Sequence, residues 1–140
     1  MKSLFILAIL LVWSSLAFSQ ATASTNQTIT TTNATTLQLN LFSPDIEVRE
    51  IRGSRLIIES HITVEGITNN TILEYVIKAG RYELVSKTDA STQTLTLSRK
   101  MSDKVLMVKG QPCTEKVRYV ILVPDSIKKV ETDGTQIPVQ

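Results

Sequence analysis

The sequence holds one cysteine, Cys113, and one histidine, His61, in 140 residues. A single cysteine excludes an internal disulfide framework and a cysteine-based structural zinc site. A single histidine excludes a multi-histidine metal centre and any mechanism that needs two imidazoles. Gly-rich phosphate-binding motifs are missing as well, and no cofactor is expected. Aromatic side chains are sparse. Beyond the N-terminal segment only Phe42, Tyr75, Tyr82 and Tyr119 remain, so stacking platforms for bases or sugars are not expected. Neither sign of charge dominates: 15 Lys and Arg face 13 Asp and Glu, for a net charge of +2. A nucleic-acid binder that works by neutralising phosphates needs a larger surplus. The length suits one domain.

What is present begins with an address. Lys2 supplies a positive start, and Leu4 to Trp13 form an unbroken apolar run of ten residues. Ser14, Ser15 and Ala17-Phe18-Ser19 follow as a small-residue cleavage region. This is the three-part pattern of a secretory signal peptide, residues 1–19, with cleavage expected before Gln20 and the Ala21–Ala23 region second. The run is too short to cross the roughly 30 Å hydrocarbon core of a bilayer. No later apolar stretch is long enough, so no transmembrane span is expected in the mature chain.

Residues 20–36 are rich in Thr and carry no charge. Only Ile29 is large and apolar before Leu37, so this stretch reads as a linker, with Thr28–Thr32 as a candidate edge strand. Asn26, Asn33 and Asn69 begin Asn-x-Thr triplets, which matter only in a host that glycosylates them.

From Leu37 to Gln140 a single β-rich domain is expected. Leu37, Leu39 and Leu41 alternate with polar residues, as do Ile46 and Val48. Leu56, Ile58, Ile62 and Val64 share one face with Ser60; Glu59, His61, Thr63 and Glu65 share the other with Ile57. Leu95 and Leu97 alternate with Thr94, Thr96 and Ser98, and Val117, Tyr119, Ile121 and Val123 close the series before Pro124. Period two marks half-buried strands. Val105-Leu106-Met107-Val108 is continuous, which suggests a strand covered on both faces. One segment differs. Turn-like Thr68–Thr71, capping-box spacing of Thr71 and Glu74, and Gly80 at the far end favour a short helix over a further strand. The fold class is therefore mainly β: an antiparallel sandwich- or solenoid-like sheet domain with one short helix.

Candidate sites are few. His61 is expected on a solvent face, Asp45 and Glu47 as edge charges beside Arg49, and Cys113 as a buried inert thiol. Catalytic, metal and cofactor residues are not expected. Charge is uneven: residues 99–129 carry eight basic and three acidic side chains. Arg99, Lys100, Lys104 and Lys109 cluster around an expected hairpin. They suit an anionic glycan or an acidic envelope protein; the plainer reading is a solvated strand edge that uses Lys against aggregation. Ile127, Val130 and Ile137 are apolar residues in the C-terminal tail, flanked by Lys128, Lys129 and Pro138. They suggest an edge where a partner strand docks.

Three segments carry a family resemblance. They are Leu39-Asn40-Leu41-Phe42-Ser43-Pro44-Asp45-Ile46-Glu47-Val48, Ile77 through Leu84, and Tyr119 through Ile127. Together they resemble the autotransporter-adhesin head domains and related adhesin-like domains of secreted bacterial proteins. The resemblance covers roughly residues 37–131. It implies strands that lead into a right-handed solenoid of stacked rungs, and it brings no catalytic residues. The sequence departs from the family after Asp133-Gly134, where further rungs are expected, and so reads as an opening module without the repeat body. The expected function is an exported, non-enzymatic interaction module at the bacterial cell envelope, periplasmic or on the surface. The alternative is a structural accessory subunit docking through an edge strand; a periplasmic enzyme is third.

Overall fold

The computed structural model describes residues 19–101, 104–133 and 135–140. The expected signal segment, apart from Ser19, lies outside the described residues. Eleven strands and one helix follow in order. They are β1 (Gln20–Thr30), β2 (Thr36–Asn40), β3 (Ile46–Ile51), β4 (Arg55–Glu65), α1 (Asn70–Lys78), β5 (Leu84–Asp89), β6 (Thr94–Arg99), β7 (Met107–Val108), β8 (Gln111–Pro112), β9 (Thr114–Pro124), β10 (Lys129–Thr132) and β11 (Thr135–Gln136). The described residues are mainly β with one short helix, as the periodicity indicates.

Two sheets face each other. The first runs β1-β4-β9-β3 and the second β11-β10-β2-β6-β5. Both are mixed rather than purely antiparallel. β3 runs parallel to β9, and β2 runs parallel to both β6 and β10. Leu37 sits between Leu95 and Val130 in the parallel ladder, and Leu39 beside Leu97. These side chains meet Leu56, Ile58, Tyr119 and Ile121 from the first sheet in one buried cluster. Removing a leucine or isoleucine from water at such a site contributes about 1.5–3 kcal/mol each.

The Thr-rich stretch is not a linker. Gln20–Thr30 is a full strand, paired antiparallel with the whole of β4. Its inward positions are Ala21, Ala23, Thr25, Gln27 and Ile29, opposite Val64, Ile62, Ser60, Ile58 and Leu56. Small residues are what this strand needs, because α1 packs against it. Ala21 and Leu73 of α1 belong to a second buried cluster with Ile62, Val64, Ile67 and Tyr82.

The helix starts at Asn69 rather than at Thr71. The Asn69 side chain accepts a hydrogen bond from the Thr71 N–H at 2.8 Å. At the other end Gly80 takes φ +89°, and the N–H groups of Gly80 and Arg81 return to Ile77 O and Val76 O. That turn aims Arg81 at the first sheet. The continuous apolar run 105–108 is also corrected. Only Leu106 is buried; Val105 and Met107 are exposed, and the strand there is a two-residue hairpin arm.

The tail belongs to the fold. Ile127 and Val130 are buried, Ile137 packs partly buried against the main cluster, and β10 is paired along its length with β2. The expected C-terminal docking edge is therefore occupied by the protein's own core. Gln140 then crosses to the first sheet, donating to Val48 O at 3.0 Å and accepting from Glu50 N–H at 2.9 Å. Among the described residues no helix is long and apolar enough to cross a membrane.

Candidate functional site

β9 is longer than its neighbour. Its pairing with β3 begins at Tyr119 and Ile46, so Thr114–Arg118 pair with β4 alone. Main-chain groups alternate sides along a strand. The Tyr119 N–H points away from β4, donating to Asp45 O at 3.0 Å. Val117 and Glu115 therefore turn their main-chain groups the same way. Ser43 Oγ donates to Val117 O at 2.5 Å, and the Cys113 N–H donates to Leu106 O at 2.8 Å. Between these two contacts, the Glu115 N–H and C=O and the Val117 N–H have no protein partner among the described residues. They edge a groove of about 720 Å³, rimmed by Phe42 and Pro44 on one side and by Arg99 within.

Phe42 is 77% exposed and holds φ +52°. A bulky residue rarely adopts that left-handed conformation, which costs about 1–2 kcal/mol. Neither core packing nor local backbone preference asks for phenylalanine here. Its placement presents an aromatic ring at the mouth of the groove.

Behind Glu115, which lines the groove, lies an ordered polar cluster. Arg81 Nε and Nη2 donate to Glu115 Oε1 and Oε2 at 2.6 and 2.7 Å, and Tyr82 Oη donates to Oε1 at 2.7 Å. Arg81 also donates to the Lys104 carbonyl. Burial pushes the Glu115 carboxyl up, but the hydrogen bonds from Arg81 and Tyr82 and the charges of Arg81 and Arg99 outweigh it, leaving the group below its ordinary value. Burial, and then the bond to Glu115, raise the Tyr82 hydroxyl. Arg99 adjoins this cluster. Its guanidinium carbon lies 5.9 Å from the centre of the Tyr82 ring, and its Nε is buried with no acceptor among the described residues. The hydroxyl of fully buried Tyr119 also has no partner among the described residues.

On the solvent face Arg118 Nη2 reaches Glu47 Oε2 at 2.8 Å and Arg118 Nε reaches Asp45 Oδ1 at 3.5 Å. A hydrogen bond from Arg49 is the main cause holding Glu47 below the usual carboxylate range, with Arg118 adding to it. His61 is on this face as expected, sharing a 3.0 Å hydrogen bond with Ser24. Its other polar neighbour, Glu59, stands 3.9 Å away. That is beyond hydrogen-bond reach, so the carboxylate does not orient the ring as a catalytic triad requires. Cys113 is free and buried, 7% exposed.

The four expected cations do not gather on one hairpin. Arg99 ends β6, which pairs with β5 and β2. Lys100 pairs with Glu83 at 2.9 Å, Lys104 serves through its carbonyl, and Lys109 turns the β7–β8 hairpin at φ +51°. Of the four, only Arg99 lines the groove. Phe42, Arg81, Glu115 and Val117 were not singled out as site residues by sequence reasoning; Val117 was read only as an inward strand position. One signal was there: Phe42 breaks the phase of Leu37, Leu39 and Leu41. Among the described residues no group of three or more His, Cys, Asp or Glu is placed to hold a metal ion.

No family model, no curated protein and no solved structure matches this chain.

Proposed function

We propose that this chain is an exported, non-enzymatic interaction module of the bacterial cell envelope, adhesin-like in role, and that it takes an extended segment of a partner protein against the open edge of β9. One observation carries this reading. Among the described residues β9 leaves the Glu115 N–H and C=O and the Val117 N–H unpaired beside an exposed aromatic ring and a groove large enough for a peptide strand. Unpaired edges invite strand addition, and main-chain hydrogen bonds supply its affinity. Two other edges are partly occupied by the chain itself. Gln140 pairs with β3, and the Gln27 side chain caps the start of β5. Export is supported by Lys2, the Leu4–Trp13 run and Ala17-Phe18-Ser19.

The test is selection of random displayed peptides on the folded chain, followed by titration of a selected peptide into isotope-labelled protein. Amide resonances of Glu115 and Val117 are expected to shift first. Selected peptides that leave both unmoved and perturb β5 or the β7–β8 hairpin instead would refute the reading.

A further inference from the structure

We infer that the groove selects an extended segment bearing a carboxylate side chain, which Arg99 receives. The inference rests on the strand-addition reading above and adds the chemistry of the guest.

The charges around the groove decide it. Lys116 pairs with Glu65 at 3.1 Å, Arg118 with Glu47 and Asp45, and Glu115 with Arg81. Arg99 alone among these cations has no carboxylate within ion-pair distance among the described residues, and its buried Nε lacks an acceptor. A buried donor without a partner carries an uncompensated desolvation penalty that a bound acceptor removes. The Tyr82 ring beside the guanidinium limits its freedom, so little order is lost when it binds.

Register supplies the direction. Glu115 and Val117 point to the inner face, as their pairing with Val64 and Ile62 shows. A guest strand lies along the side of β9 turned away from β4, beside Glu115 and past the Ser43 contact with Val117 O. Its residues opposite Glu115 and Val117 then face inward as well, toward Arg99 on the opposing sheet. A planar carboxylate matches the guanidinium fork, and the flanking inward residues meet Val117. Glu115 does not repel such a guest strongly, because Arg81 and Tyr82 already satisfy its charge.

Two synthetic peptides test this on the full chain: acetylated, amidated Thr-Val-Thr-Glu-Thr-Val-Thr, and the same peptide with Gln at the centre. Affinity is read from the amide shifts of Glu115 and Val117. The Glu peptide is expected to bind about 10-fold tighter or more, the range for one charge-assisted hydrogen bond. The preference should vanish in Arg99→Gln, survive in part in Arg99→Lys, and fade as the peptide carboxyl protonates below about pH 4. The comparison on the unaltered protein stands even if a variant fails to fold. Equal affinity for both peptides, with Glu115 and Val117 shifting, would overturn the role of Arg99 and leave strand addition intact. If neither peptide moves those amides, both the inference and the reading beneath it fall.

Discussion

The Gln27 carboxamide bonds both main-chain groups of Leu84, its nitrogen donating to the carbonyl at 2.6 Å and its oxygen accepting from the N–H at 3.1 Å. A side chain from β1 thus acts as a peptide group at the head of β5, joining the two sheets. Gln27→Ala leaves both Leu84 groups part-buried and unpaired. The expected cost is about 1–3 kcal/mol by chemical denaturation. Asn26→Ala, one residue away on the solvent face, should stay within about 0.5 kcal/mol. Equal effects from the two changes would show that the carboxamide is not holding the sheets.

Stability should also fall with acid through Glu115. Its folded value lies below the ordinary 4.5, so the unfolded chain takes up the proton first as pH drops. The contribution is present above about pH 4.5 and is lost as pH falls through the folded value. Glu115→Gln should destabilise the protein at pH 7 by about 2–4 kcal/mol, because Arg81 keeps a mostly buried charge. The difference between the two proteins should shrink at pH 3. A constant gap across that range would mean Glu115 does not ionise as described.

The C-terminal segment should be required for folding. Truncation after Asp125 removes Ile127, Val130 and the β10 partner of β2. Circular dichroism of that fragment is expected to show loss of the cooperative transition. A fragment that melts like the full chain would contradict the placement of β10.

Cleavage should fall before Gln20. A cut there leaves β1 whole, whereas a cut in the Ala21–Ala23 region removes buried Ala21 and its pairing with Val64. Intact-mass measurement of protein from the native host should give a chain starting at Gln20. A chain starting beyond Ala23 would show that β1 is dispensable.

Much of the fold was legible where a period of two sets the inward face, although Val120 on β9 is buried as well. β4 and β9 follow the inward set read from Leu56 to Val64 and from Val117 to Val123. The helix was legible from Gly80 and the turn before it, although Asn69 caps it rather than Thr71. Most of β1 was missed because four of its five inward residues, Ala21, Ala23, Thr25 and Gln27, are small or polar, and only Ile29 is large and apolar. The run at 105–108 misled for the opposite reason, since apolar residues there face solvent. The apolar tail residues read as surplus because parallel pairing of β10 with β2 joins segments some ninety residues apart, which local periodicity does not encode. The groove was illegible for the same reason. It arises from an offset between β3 and β9 that only the register reveals, and Arg99 was named for its charge rather than for its place beside that offset.

Amide hydrogen exchange of the free protein is the direct test of the open edge on β9. Lys116 and Arg118 direct their N–H groups to β4, while Glu115 and Val117 direct theirs to the groove. Exchange is expected to alternate along the strand: slow at Lys116 and Arg118, fast at Glu115 and Val117, with protection of the latter two when an extended peptide binds. Equal protection at all four amides in the free protein would contradict it.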